Sequence, residues 1–329
     1  MQTPRIGRRQ LVLGALSATA LTATSSRLSA QTWPERSITF ICPWPAGGTA
    51  DQSMRALCSV AARVLGQSIA VENKVGAGGN IAADAVAKAT DDHTLGIMIN
   101  GNLTIARLIN PRINYDPLKD LTPISLIATA PLALAAPANA PGATAQEFFA
   151  AARASGDRWN YGTPGVGTVA HIGMELLKNK AGINPVHVPY PGNPQVINAI
   201  IGGQIQLSLL PPAMAAAQAR AGKLRVIGVT SSGRSTLVPE YPSLAEAGVK
   251  DFNLEIWNAV AAPRSLPQPV AARLSALFSE IARSPEVRAK LFQQGWQVKG
   301  TTAEGLANRI QTDTRALGAV ITSQGIKAE

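Results

Sequence analysis

Two glycine-rich stretches, far apart in the chain, set the strongest limits on how it folds. The first is Pro43-Trp44-Pro45-Ala46-Gly47-Gly48-Thr49-Ala50-Asp51, and the second is Tyr161-Gly162-Thr163-Pro164-Gly165-Val166-Gly167-Thr168. Each follows a short apolar run with strand character and opens a segment of helical periodicity. Such a loop leaves the first helical N–H groups without intrahelical partners and adds the positive end of the helix dipole. The product is an anion site that needs no cationic side chain. We read the two loops as facing each other across a cleft and holding a carboxylate between them.

The alternation around these loops defines a fold class. Ser37–Cys42 reads as a buried strand. The helix after it is expected to start with Thr49 as N-cap and Gln52 completing a capping box. Met54, Leu57, Ala61, Val64 and Leu65 form its core-facing stripe, and Gly66 stops it. Strands at Ser68–Glu72 and Thr94–Asn100, with a helix between them, continue a parallel sheet flanked by helices. Ile124–Ala136 is apolar enough for one strand or two and marks a first crossing between domains. Strand and helix then alternate again from Ala145 to Thr230, and Phe252–Ala262 reads as a returning strand. The helices after Pro267 have one strand candidate among them, Gln297-Val298-Lys299, and are expected to cover the first domain. A chain of 329 residues is long enough for two cores. The expected architecture is two α/β domains, 31–135 with 258–329 and 136–257, with the cleft at the strand ends.

The amino terminus reads as an export signal over residues 1–30. Arg5, Arg8 and Arg9 precede the apolar stretch Leu11–Ala23, and Ser29-Ala30 offers a cleavage point. Arg8-Arg9-Gln10-Leu11-Val12-Leu13 fits a twin-arginine signal, and an ordinary secretory signal with two arginines fits as well. The apolar stretch is short for a membrane span. The mature protein is therefore expected to be soluble and exported, hence periplasmic. The leader holds four arginines and no acid, which leaves 26 basic against 20 acidic residues, a charge of +6. Spread without a dense basic block, this is a solvated surface and not a nucleic-acid face. Cys42 and Cys58 read as separate buried thiols, because helical rise carries Cys58 away from the strand that Cys42 ends.

Several chemistries can be weighed against the residues. Gly165-Val166-Gly167-Thr168-Val169-Ala170 fits a dinucleotide fingerprint, but the next strand, near Val186–Tyr190, offers no acid for a ribose. A phosphate-binding G-x-x-x-x-G-K-[ST] loop is absent, as is the G-x-S-x-G elbow of a serine hydrolase. His93, His171 and His187 are scattered and give no zinc spacing. No cofactor and no metal is expected. His171, in the first turn after the second loop, is either a structural or ligand-bonding imidazole or the base of a secreted hydrolase. Asp51 sits in the matching turn of the first loop, where it is expected to hold the loop's amides in shape. Trp44 is either a lid over the ligand or a packing residue.

In order and spacing, a longer set of landmarks matches a known family. It includes Pro45-Ala46-Gly47-Gly48 with Asp51 and Arg55, Val71-Glu72-Asn73-Lys74 with Gly76-Ala77-Gly78-Gly79, and Tyr115-Asp116-Pro117. It continues with Gly167-Thr168 followed by His171 and Glu175, His187-Val188-Pro189-Tyr190, Gly202-Gly203-Gln204, and Trp257 before Ala262-Pro263. With these the chain resembles the extracytoplasmic solute receptors of tripartite tricarboxylate transporters, Bug-type periplasmic binding proteins. The resemblance implies a two-domain α/β binding protein of the Venus-flytrap kind (type II), not an enzyme. It would close on a small carboxylate, aromatic ones included, and dock on a two-subunit membrane permease; a receptor feeding a membrane sensor kinase has the same signature. The implied ligand-binding residues are Trp44, Ala46, Gly47, Gly48 and Asp51 on the first loop, and Thr163, Gly165, Gly167, Thr168 and His171 on the second. Asn100, ending the third strand, and Leu210 join them. Members commonly carry Asp where this chain has Gln206 and Leu210. With Leu210 at a strand end facing the cleft, a ligand ammonium would lack its partner. The expected ligand is then a carboxylate with an apolar or aromatic distal part.

Overall fold

The computed structural model describes residues 33–326. The chain divides into a short leading unit that ends at Glu35 and a main body from Arg36 onward. Only Trp33, Pro34 and Glu35 of the leading unit are described, and they carry no regular secondary structure. The export signal expected over residues 1–30 lies outside the described residues. Every strand and helix among the described residues belongs to the main body.

The first part of the main body alternates as its sequence pattern requires. β1 (Ile38–Cys42) leads through the first glycine loop into α1 (Thr49–Leu65), then β2 (Ile69–Asn73), a 3-10 turn at Ala77–Gly79 and α2 (Asn80–Ala87). Next come β3 (Thr94–Ile99), the short helices α3 (Asn100–Thr104) and α4 (Ala106–Ile109), and β4 (Leu121–Pro131). β5 (Ala133–Pro137) opens a second series, with α5 (Ala145–Ser155), β6 (Asn160–Thr163), α6 (Val169–Ala181) and β7 (Val186–Pro189). It ends with α7 (Asn193–Ile201), β8 (Leu207–Leu210), α8 (Pro212–Arg220) and β9 (Leu224–Val229). The chain closes with β10 (Glu255–Pro263), α9 (Gln268–Arg283), α10 (Pro285–Gln293), β11 (Gln297–Val298) and α11 (Ala303–Gln324).

These strands form two mixed sheets, ordered β11-β4-β10-β3-β1-β2 and β7-β6-β8-β5-β9. β1 is parallel to β2 and β3, while β10 is antiparallel to β3 and β4. The apolar run 124–136 is therefore two strands in different sheets, separated by Leu132 alone. Thr230 laces the two places where the chain changes sheets. Its N–H donates to the Leu132 carbonyl, and its hydroxyl accepts the Leu132 N–H at 2.7 Å. The same hydroxyl donates to the Leu254 carbonyl at 2.6 Å, and the Leu254 N–H donates to the Thr230 carbonyl.

Packing follows the periodicity with three departures. Met54, Leu57 and Ala61 of α1 are buried, but Val64, in the last turn of the helix, is 60% exposed. The N-cap of α1 is Gly48, one residue before the expected Thr49, and Gln52 donates from its side chain to the Gly47 carbonyl. The carboxy-terminal helices do not stay on the first lobe. Leu317 and Ile321 near the end of α11 join the second lobe's core with Phe148, Leu177 and Phe252, and Asn179 donates to Gln324. Cys42 and Cys58 are buried free thiols, and burial pushes the Cys42 thiol up to about 11. Among the described residues, no helix is long and apolar enough to cross a membrane.

Candidate functional site

The first glycine loop is braced from beneath. Gly47 adopts φ +82°, a conformation that favours glycine, and its N–H donates to Asp51 Oδ2 at 2.9 Å. Asn73 on β2 reaches the same carboxylate and the Trp44 carbonyl, at 2.9 and 2.8 Å. Arg55, one helical turn on, donates to both Asp51 oxygens. Burial pushes the Asp51 carboxyl upward, but Arg55, Asn73 and the Gly47 amide together outweigh it and hold it below its ordinary range. The conformation that presents the loop is thus fixed by one buried carboxylate, as the sequence led us to expect of Asp51.

The second loop is braced in the same manner by other groups. Gly165 and Gly167 take φ of +122° and +79°. Thr163 donates to the Gly165 carbonyl and meets His187 Nε2 at 2.6 Å. Thr168 caps α6, accepting the His171 N–H and donating to Gly165 at 2.8 Å. His171 Nδ1 faces the Gly167 N–H at 3.4 Å. Its ring stacks on His187 with centroids 4.3 Å apart, and His187 stacks in turn on Tyr161 at 4.8 Å. Tyr161 donates to Glu175, which pairs with Lys178. Burial foremost, then His171, depress His187 to about 4. This column fixes the loop's shape from the second lobe's interior.

Between the lobes lies a cleft of about 690 Å³, part of it open to solvent. Trp44, Pro45 and Gly48 line it from the first loop; Pro164, Thr168, Val169 and Ala170 line it from the second. Two helix starts, of α1 and α6, therefore converge on one space from different lobes. The remaining walls are apolar, with Leu132, Leu209, Met214 and Ile256 among them, interrupted by Asn193, Asn258 and Trp296. No Asp, Glu, Lys, Arg or His lines the cleft among the described residues.

The lobes meet beside this cleft along a seam of glycines. A methyl group placed on Gly101 would lie 2.9 Å from the Gly167 carbonyl oxygen, and one on Gly78 would lie 2.8 Å from that of Val166. A methyl on Gly165 would lie 3.1 Å from the Gly78 backbone. A second space of about 930 Å³, part of it open to solvent, is lined by Gly76 and Gly78 together with Gly165 and Gly167 of the second loop.

Of the residues singled out in sequence, Trp44, Gly48 and Thr168 line the cleft. Gly165 and Gly167 line the second space instead. Ala46 and Gly47 are exposed on the outer turn of the first loop. Five of the implied ligand-binding residues need correction. Asp51 is 1% exposed and Thr163 fully buried, and their polar atoms are taken up within the protein, by Gly47, Arg55 and Asn73 and by Gly165 and His187 respectively. His171 is buried in the ring stack and absent from the cleft wall, which removes the imidazole that a hydrolase would need there. Asn100 is fully buried and donates to the Glu255 carbonyl at 2.9 Å, bracing β10. Leu210 packs with Val196, Ile200 and Ala215 on one face of the second sheet, and its neighbour Leu209 reaches the cleft. Successive strand residues point to opposite faces, so the expected position was one residue off.

Asn193, Asn258 and Trp296 escaped the sequence reading. One signal was available: Asn258 is an amide inside the apolar run Trp257–Ala262, where burial disfavours it.

The comparisons agree with this architecture. Residues 53–326 match the family described as tripartite tricarboxylate transporter family receptor, and the chain belongs to that family. A relative in Pseudomonas sp. (strain P51), described as a UPF0065 protein in the tcbD-tcbE intergenic region, is 32% identical over 98% of this chain and 96% of its own length. Among solved structures, R. palustris Rpa4515 with adipate has a TM-score of 0.86 at 28% identity, covering 90% of this chain and 99% of that one. MatC from Rhodopseudomonas palustris with bound malate has a TM-score of 0.82 at 31% identity, covering 88% of this chain and 100% of the other. The fold is that of a two-lobed solute-binding protein with a cleft between α/β lobes.

Proposed function

We propose that the chain is a periplasmic receptor that captures a small carboxylate in the interlobe cleft and delivers it to a two-subunit tripartite tricarboxylate-type permease. One observation carries the reading: the first turns of α1 and α6, from separate lobes, converge on a cleft that no charged side chain lines among the described residues. Helix N-terminal amides then supply the attraction for an anion. The bound adipate and malate of the two Rhodopseudomonas proteins support the carboxylate class. Closure would turn on the sheet crossings at Leu132 and Leu254, with 31–135 and 258–329 moving against 136–257 to within a few residues. The apolar walls favour a ligand with an apolar or aromatic body, with Leu209 in the role first given to Leu210. No nucleophile–base pair lines the cleft among the described residues, so binding without turnover is expected.

Thermal melts of the mature chain with benzoate, adipate, malate, citrate and aspartate test this. At least one carboxylate should raise the melting temperature, by an amount that grows with the logarithm of its concentration over Kd. NMR of the recovered ligand should show no conversion. Stabilisation by none of them, or conversion of a bound one, would overturn the reading.

A further inference from the structure

The cleft wall holds polar atoms that the protein itself does not use. Asn258 is 1% exposed, and neither its Nδ2 nor its Oδ1 has a hydrogen-bond partner in the protein. Trp296 is 3% exposed, and its Nε1–H is likewise unpartnered. Both residues line the cleft. Buried polar groups are nearly always satisfied, and those that are not call for an explanation. Two such residues near each other on the first lobe's wall, with Asn193 Oδ1 of the cleft lining also unpartnered, point to a bound group that completes them.

The strand order fixes where they stand relative to the anion-binding loops. Trp44 and Gly48 follow β1, and the sheet continues β1-β3-β10-β4-β11. Asn258 lies on β10 directly opposite Ile99 of β3, which also lines the cleft. Trp296 precedes β11 by one residue, at the far side. Two strand spacings separate β1 from β10, roughly 10 Å. A ligand hydrogen-bonded at both ends spans less than this, on the scale of a single six-membered ring. Met214 and Ile256 supply apolar wall for such a body.

Charge selects what stands at the far end. A second carboxylate there would be buried with no cation among the lining residues, and an ammonium would find no acid. A neutral hydroxyl or carboxamide can donate to Asn258 Oδ1 and accept from Asn258 Nδ2 or Trp296 Nε1. We propose that Asn258 and Trp296 are the specificity-determining residues of the cleft. They select a monocarboxylate with a ring-sized apolar body and one neutral hydrogen-bonding group opposite the carboxylate. The inference rests on the carboxylate-receptor reading above.

Calorimetric titration of the mature chain with 4-hydroxybenzoate, benzoate, terephthalate, adipate and aspartate tests it, alongside Asn258→Leu and Trp296→Phe. 4-Hydroxybenzoate should bind wild type about tenfold or more tightly than benzoate, and tighter than both dicarboxylates. Both substitutions should abolish that preference. Asn258→Leu should leave the ligand-free melting temperature unchanged or raised, because it removes orphaned polar atoms and keeps the branched outline. A purely structural Asn258 would give the opposite: a lowered melting temperature with the preference intact. Tighter binding of adipate, terephthalate or aspartate would overturn this inference while the receptor reading stands. An intact preference in both variants would overturn the assignment to these residues. Binding of none of the five would overturn the inference, and with the separate failure of malate and citrate the receptor reading too.

Discussion

At the scale of single residues, the site is held together by groups that do not face it. Asp51 stands under the first loop and His187 under the second, and each fixes glycine conformations that a free loop would not keep. His187 also carries a pH signature. In the folded chain its pKa is about 4, depressed first by burial and then by His171. The unfolded chain keeps the ordinary value near 6.5. As pH falls through 6.5 the unfolded state takes up the proton first, so stability declines until about pH 4 and flattens below it. The groups that face the ring are Thr163, His171, Tyr161, Glu175 and Lys178, all of which a substitution at His187 leaves in place. Melting temperatures of wild type and His187→Gln between about pH 7.5 and 4 check this. The wild type should lose more stability over that interval than the variant, and equal slopes would show that folding does not shift the His187 pKa.

Secondary-structure elements were legible because most of them obey a local rule. Strand–loop–helix alternation, Gly66 after α1 and Pro at the starts of α7, α9 and α10 placed their ends within a few residues. Both anion loops were legible for the same reason, since a glycine before a helix is a local signal. The far wall of the cleft was not. Trp296 and Asn258 are distant in sequence and come together only because β10 and β11 flank β4, a pairing that no local pattern announces. Leu210 was misjudged by one position because strand ends shift by a residue or two, and one step exchanges the faces. Thr230, at the end of β9, was equally hidden. Its hydroxyl serves Leu132 and Leu254 together, so it ties both sheet crossings to one atom. Thr230→Val keeps the shape and removes that atom, leaving a buried N–H and C=O each short of a bond. A loss of about 1–3 kcal/mol in unfolding free energy is expected from denaturant titration. A loss below about 0.5 kcal/mol would mean that the crossings do not depend on this hydroxyl.

At the scale of the whole molecule, a receptor of this design must bring its lobes together, and the glycine seam shows how closely. Gly101 starts no turn and has an ordinary φ, so the left-handed conformations that hold Gly78 and Gly165 do not explain it. Its distinction is the 2.9 Å between a methyl at that position and the Gly167 carbonyl of the opposite lobe. Gly101→Ala therefore separates two effects. Within α3 the change favours the helix by up to about 1 kcal/mol, since alanine is the better helix former. Across the seam the added methyl meets backbone that cannot swing aside, which penalises the closed form alone. The ligand-free melting temperature should stay level or rise slightly. Affinity for 4-hydroxybenzoate should fall about tenfold, and small-angle scattering should show a larger radius for the variant than for wild type at saturating ligand. Gly233→Ala is the control, because a methyl there meets nothing within 4 Å. If Gly101→Ala binds and compacts like wild type, the lobes do not close to this contact when they hold their ligand.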